Sequence, residues 1–313
     1  MSSLRGQFSA KVTANIPLCR EHFKLLLYLP EFPQSHPGQF VQLACDDPIE
    51  LPAERNWTDA ELPRVAGTEI VQREAFLRRP FSLAGRRDLD NGVELSIIHR
   101  IVGVGTGWMS RLRVGQNLSL IGPLGNYFRP PAKNQTALLV GGGVGIPPML
   151  YWADQLRGKR AIAFCGALSR DLIPLTIVGQ SAGSEPAMII REFADYGIPS
   201  VITTDDGSIG IRGFVTQALE SYLDSLGDSV SAVIYTCGPE PMMRRVADIA
   251  LARNIECQVA VERAMACGMG TCQSCVIRVR KPDPARPPLP GSDWCYRLAC
   301  TDGTIFRASE LLW

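Results

Sequence analysis

Near Thr136 the hydrophobic pattern of this chain changes period, and that change constrains the fold more than any other feature. Before it, apolar and polar residues alternate. Phe8 to Ile16 follows the two-residue period of a half-buried strand. HFKLLLYLP, GQFVQLAC, RPFSLAG, GVELSIIHRIV and GQNLSLIGPLG read as further strands, punctuated by glycine and proline. Short strands with regular turn signals predict an antiparallel barrel or sandwich. After Thr136, apolar runs (TALLV, RAIAFCGAL, PSVITTDD, SAVIYTCGP) alternate with helical spacings. Met149, Trp152, Ala153 and Leu156 mark one helix, FVTQALESYLDSL a second, and PMMRRVADIALAR a third with Met242, Val246, Ile249 and Ala250 on one face. Strand–helix alternation predicts an α/β layer around a mainly parallel sheet. The stretch from Glu262 onward differs again, with clustered cysteines and a proline-rich piece, RKPDPARPPLPG. The expected organisation is a β-barrel domain over 1–133, an α/β domain over 134–258 and a small cysteine-bearing domain over 259–313.

A length of 313 residues suits two domains with a small third. Apolar residues at 46% and charged ones at 20% supply a sizeable core. The net charge is +1 with no basic tract, which argues against a nucleic-acid partner. The opening MSSLRGQFSAKVTANIP lacks the apolar core of a signal peptide. Thr136 to Ala153 is apolar enough to resemble a membrane span, but three consecutive glycines and two prolines interrupt it. No membrane association, a cytoplasmic location and a reducing compartment are therefore expected, with disulfides disfavoured. The segment Asp46–Phe76 holds eight acidic and three basic residues without periodicity and reads as a surface insertion.

Of ten cysteines, three follow the pattern Cys267-x4-Cys272-x2-Cys275. This is the spacing of plant-type iron–sulfur proteins. A 2Fe-2S cluster needs four thiolates, two per iron, and Gly268 and Gly270 let the backbone approach it closely. The fourth ligand must come from later in the chain. Cys295 and Cys300 both qualify by type, and Cys300 precedes a turn-like Thr-Asp-Gly. A zinc-bearing interaction protein is the alternative of another class, although structural zinc usually takes two separated cysteine pairs.

Gly141-Gly142-Gly143-Val144-Gly145-Ile146-Pro147-Pro148 follows an apolar strand and opens a helix. Such a turn aims backbone N–H groups at an anion, and a proline suits the first helical turn. Its glycines do not match the G-x-G-x-x-G dinucleotide fingerprint. Cys237-Gly238-Pro239 ends a second buried strand, at the carboxyl edge where ligands of open α/β sheets bind. Arg79-Pro80-Phe81-Ser82 and Gly105-Thr106 offer charge, hydroxyls and backbone N–H groups for a phosphate. His22, His36 and His99 form no hydrolytic pattern, and H-E-x-x-H does not occur.

In this order, RRPFSL, GGGVGIPPM, TDDGSIGIRGFVT, CGPEPMM, ERAMACGMGTCQSC and CTDGTIF resemble the ferredoxin–NADP reductase superfamily. Within it they resemble the electron-transfer subunits of NAD-using dihydroorotate dehydrogenases. The resemblance covers nearly the whole chain and implies FAD, a 2Fe-2S cluster and NAD as cofactors. The first domain becomes an FAD domain, the second an NAD domain and the third a 2Fe-2S domain. Arg79, Pro80, Phe81 and Ser82 would hold the isoalloxazine and phosphates. Ile98, His99 and Arg100 would line the flavin, and Gly105 and Thr106 would contact its pyrophosphate. Gly142, Gly143, Val144 and Gly145, with Cys237, Gly238 and Pro239, would border the nicotinamide. Cys267, Cys272, Cys275 and Cys300 would ligate the cluster. The implied partner is an FMN-containing dihydroorotate dehydrogenase catalytic subunit, in a heterotetramer of two of each chain, acting in pyrimidine biosynthesis. Related reductase subunits of ferredoxin-, sulfide- or hydrogen-linked complexes are the alternative. Asp205 and Asp206 are candidates for disfavouring a 2′-phosphate.

Overall fold

The computed structural model describes residues 5–45, 75–179, 185–227, 231–280 and 293–313. The expected acidic insertion lies almost wholly outside the described residues.

Seven antiparallel strands form the N-terminal unit: β1 (Gly6–Cys19), β2 (His22–Leu29), β3 (Phe40–Cys45), β4 (Ala75–Ser82), β5 (Gly85–Leu89), β6 (Gly92–Arg100) and β7 (Asn117–Leu124). They pair in the order β4-β3-β7-β1-β2-β6-β5 and curl into a half-barrel. Alternation explains the curl's interior. Ala10, Val12, Leu25, Leu27, Leu29, Val41, Leu43, Leu95 and Ile97 point inward and form one core. The alternation of Phe8 to Ile16 does not bury its far end. The β1–β2 register shifts between Val12 and Ala14, and Ile16 is left 43% exposed. A short helix, α1 (Val104–Met109), packs against β3 and β4.

The second unit alternates strand and helix: β8 (Thr136–Gly142), α2 (Ile146–Gln155), β9 (Ala161–Ala167), α3 (Arg191–Ala194), β10 (Ser200–Thr204), β11 (Ile211–Arg212), α4 (Val215–Leu226), β12 (Ala232–Cys237), α5 (Glu240–Ala252) and β13 (Glu256–Ala260). The sheet order is β11-β10-β9-β8-β12-β13, all parallel. The runs Ala137–Val140 and Val233–Tyr235 are buried on both faces, as a parallel sheet covered by helices requires. Helix α2 starts with Pro147 and Pro148 in its first turn. On α5 the buried face consists of Met243, Val246, Ala247, Ile249 and Ala250. Met242 was expected on that face but is only partly buried, because it turns toward Gly142.

The cysteine-bearing segment adds β14 (Val276–Val279), β15 (Cys295–Leu298), β16 (Ile305–Arg307) and β17 (Leu311–Leu312). Three of these form a small sheet ordered β15-β14-β17. β16 instead pairs antiparallel with β13 and closes the edge of the large sheet. The third unit is therefore fastened to the second by backbone hydrogen bonds. Cys275, Ile277, Val279, Ala299 and Cys300 share one core with Val246, Ile249 and Val259 of the α/β layer and Phe40 of the half-barrel.

Candidate functional site

In an open parallel sheet, ligands bind where consecutive connections leave in opposite directions. Here that point lies between β8 and β12. From β8 the chain proceeds to β9, β10 and β11 on one side, and then returns to β12 and β13 on the other. The Gly142–Gly145 turn follows β8, and Cys237-Gly238-Pro239 follows β12. The two turns touch. A Cβ on Gly145 would lie 2.1 Å from the Cys237 carbonyl oxygen, and one on Gly238 would lie 3.1 Å from both the Gly142 nitrogen and oxygen. Gly143 has φ +53° with open space around it, and the neighbouring Val144 is exposed. These glycines let the two turns meet backbone to backbone and leave the Gly143 backbone open, which suits a flat ring and a phosphate. Burial pushes the Cys237 thiol up to about 12, with the Glu262 charge adding to it, so it stands beside these turns as a neutral thiol.

The residues expected to hold a flavin lie in elements that touch one another and the same region. β4 carries Arg79 to Ser82 and contacts β6, which carries Ile98, His99 and Arg100. Helix α1, with Gly105 and Thr106, packs on β4, and β6 in turn contacts the Gly143–Gly145 turn. The Thr106 hydroxyl accepts from the Val102 and Gly103 N–H groups at 2.9 and 3.2 Å and so shapes the turn entering α1. Arg79 donates to the Leu77 carbonyl at 2.8 Å, and Arg100 pairs with Glu21 at 2.8 Å.

Ile98 and His99 face opposite sides of β6. Ile98 lines a cleft between the two large units with Lys24, Arg86 and Tyr151, whereas His99 points into the half-barrel. Its ring stacks on Phe23 at 5.9 Å and meets Phe81 edge-on at 6.2 Å. Neither ring nitrogen has a partner. Burial, with a smaller contribution from His22, lowers its pKa to about 4. His99 is thus a neutral, apolar-packed imidazole beneath the Arg-Pro-Phe-Ser strand.

The cysteine loop is built around positive φ angles at Gly268 (+71°) and Gly270 (+89°). Cys267 Sγ accepts from the Met269 and Cys272 backbone N–H groups, both at 3.4 Å. Cys272 Sγ lies 3.2 Å from the Ser274 hydroxyl, which, with backbone N–H groups, draws its thiol down to about 6. Cys300 is buried next to Cys275, the Gly270 backbone and Cys267. Burial first, and then the neighbouring Cys275, push it up to about 12. Cys295 sits within β15 opposite Val279, with its side chain in the core. Four cysteines on one glycine-rich loop and its facing turn match the donor set of a 2Fe-2S centre. Among the described residues no three His, Cys, Asp or Glu side chains converge closely enough for a single metal ion.

The family model for the iron–sulfur cluster binding domain of dihydroorotate dehydrogenase B matches residues 262–312. An electron transfer subunit of dihydroorotate dehydrogenase B (NAD(+)) from Geobacillus sp. (strain WCH70) is 35% identical over 77% of this chain and 82% of its own length. The chain belongs to the family of these electron transfer subunits. The family member from Fusobacterium nucleatum is 34% identical over 76% of this chain and 82% of its own. The one from Caldanaerobacter subterraneus subsp. tengcongensis is 27% identical over 99% of this chain and all of its own. Among solved structures, an NADH-dependent reduced ferredoxin-NADP oxidoreductase shares the fold, with TM-score 0.69, 23% identity, and coverage of 97% of this chain and 90% of that one. For an electron transfer subunit of this family, the segment matched by the model carries both Cys300 and Cys295.

Three residues escaped the sequence reading. Gln42 is fully buried beside Gly268. Asn126 hydrogen-bonds the stretch that follows Cys300, and Asp302 accepts from the Leu298 N–H at 2.8 Å to close the Cys300 turn. A lone glutamine inside the apolar run FVQLAC was the one available signal. Asp206 is a turn residue: Ser208 donates to it from backbone and hydroxyl at 2.9 and 2.6 Å.

Proposed function

We propose that this chain passes electrons from a dihydroorotate-oxidising partner to NAD, using FAD and one 2Fe-2S cluster. The observation that carries this reading is convergence. The β4 and β6 motifs reach the paired glycine turns at the sheet's switch point, and the cysteine loop rests on Gln42 of β3, the strand paired with β4. When bound, FAD exchanges a hydride with NAD and single electrons with an iron–sulfur centre.

The chain's own residues bind and orient. Arg79, Pro80, Phe81 and Ser82 hold the flavin, Phe81 being backed by the neutral His99 ring. Gly105 and Thr106 present the turn that receives the pyrophosphate. Gly142 to Gly145 and Cys237 to Pro239 admit the nicotinamide, because none of the glycines interposes a side chain. Hydride transfer needs no general acid, which agrees with a neutral His99 and a neutral Cys237. Cys267, Cys272, Cys275 and Cys300 hold the cluster, supported by the backbone donors to Cys267 and by the proximity of Cys300 to Cys275 and Gly270. The partner is an FMN-containing dihydroorotate dehydrogenase catalytic subunit, in an assembly of two of each chain. No helix among the described residues is long and apolar enough to cross a membrane.

The test is reconstitution with such a catalytic subunit. Dihydroorotate-dependent NAD⁺ reduction by the pair, absent from either chain alone, is expected. Absence of turnover by a pair with full cofactor content would overturn the partner assignment and favour a ferredoxin-, sulfide- or hydrogen-linked complex.

A further inference from the structure

Gln42 is out of place in its strand. Its neighbours Val41 and Leu43 point into the half-barrel core, so Gln42 projects from the opposite face, as Phe40 does. That face is covered by the cysteine-bearing segment, and Gln42 is 0% exposed. It pairs in register with Pro80 of the Arg-Pro-Phe-Ser strand on one side and with Ile121 on the other, neither of which offers a side-chain hydrogen bond. Both amide atoms, Oε1 and Nε2, are buried without a partner. A buried, unpaired primary amide costs free energy unless something satisfies it.

What the amide faces is the cluster loop. A Cβ on Gly268 would lie 2.6 Å from Oε1 and 3.0 Å from Nε2, so the loop backbone rests directly on the amide. Gly268 follows Cys267, whose sulfur already accepts two backbone N–H donors. A half-turn about the last side-chain bond exchanges the amide's oxygen and nitrogen ends, so either can face the loop.

We propose that Gln42 is a positioning residue for the iron–sulfur centre: its side-chain amide donates a hydrogen bond to sulfur at the Cys267–Gly268 turn and raises the cluster's reduction potential. The amide nitrogen has two hydrogens and no protein acceptor, and what lies in front of it is Gly268, the residue that follows Cys267. Hydrogen bonds to cluster sulfurs stabilise the reduced, more negative state. By its place on β3, beside Pro80, Gln42 joins the strand that holds the flavin to the loop that holds the cluster. This inference rests on the functional reading above.

The test is a redox titration of the anaerobically purified holoprotein, monitored by the EPR signal of the reduced cluster and by flavin absorbance. Gln42→Met keeps the length of the side chain and removes the donor. Gln42→Glu keeps the shape and, when ionised, also removes the donor. The expected result is a cluster midpoint shifted to lower potential in both variants, with an altered EPR line shape and with iron and FAD content and the flavin midpoint unchanged. An unchanged cluster midpoint in variants with full iron content would overturn the inference. A shift confined to the flavin midpoint would overturn it too, by assigning the amide to FAD. If Gln42→Met fails to retain the cluster, Gln42→Glu decides by the same criterion. No iron–sulfur signal in the unsubstituted protein would overturn the functional reading, and the inference with it, and is distinguishable from the preceding results.

Discussion

Asn126 and Ile305 hold each other as two paired strands would. The Asn126 side chain accepts from the Ile305 N–H at 2.7 Å and donates to the Ile305 carbonyl at 2.8 Å. The same amide nitrogen lies 3.0 Å from the Asp302 carbonyl oxygen, and the Asn126 N–H donates to the Gly303 carbonyl at 2.5 Å. One residue after β7 therefore fastens the turn that carries Cys300. Asn126→Ala is expected to cost about 2–3 kcal/mol, since it leaves Ile305's backbone groups unpaired in a largely buried site. Denaturant midpoints measure that cost. Faster loss of cluster absorbance on chelator challenge checks the link to Cys300.

The paired glycine turns predict a contrast between two similar substitutions. In Gly142→Ala the new methyl meets Met242 Sδ at 2.5 Å, the movable part of a flexible side chain. In Gly145→Ala it meets the Cys237 carbonyl at 2.1 Å, which is backbone. Gly145→Ala should be the more damaging, by about 1–3 kcal/mol of overpacking. It should also raise KM for NADH more than Gly142→Ala does. Steady-state kinetics with an artificial acceptor and thermal melts would report both.

The fourth-ligand question yields a clean pair. Cys300→Ala is expected to abolish the cluster, because Cys300 lies beside Cys275 and the Gly270 backbone. Cys295→Ala is expected to keep it, with a small stability loss, because Cys295 is a core residue of β15. Iron content of the two purified variants decides.

Acid should weaken the half-barrel. His99 has a folded pKa of about 4, below its unfolded value of 6.5, and His22 is shifted down as well, by burial above all. As pH falls through 6.5 the unfolded chain takes up a proton that the folded chain refuses until about 4. Stability is therefore full above 6.5 and is lost between 6.5 and 4, by about 3 kcal/mol for His99 alone. Phe23, Phe81 and His22 surround the ring, and Arg100 and Glu21 act on His22. Denaturation midpoints across this range should flatten in His99→Phe.

The layers of the fold were legible because they rest on local periodicity. The alternation around Ala10 and Val12, the apolar run Leu138–Val140 and the helical face of α5 each record which side of an element is buried. The cysteine spacing was legible because a loop of fixed length must wrap a cluster edge. What escaped depends on contacts distant in sequence. Nothing near Gln42 announces that Gly268 will cover it, and nothing near Asn126 announces Ile305. β16 reads locally as part of a small terminal domain, yet its backbone completes the large sheet beside β13. Met242 keeps the helical period and packs against the core cluster, but at the first turn of α5, beside Gly142, it is only partly buried.

The most direct measurement is the cofactor content of the chain purified without oxygen: iron, acid-labile sulfide, zinc and FAD, read with the visible spectrum. The account predicts about two irons and two sulfides per chain, as a 2Fe-2S centre requires, one FAD, and bleaching on addition of NADH. A colourless protein that holds zinc in place of iron and lacks flavin would contradict it.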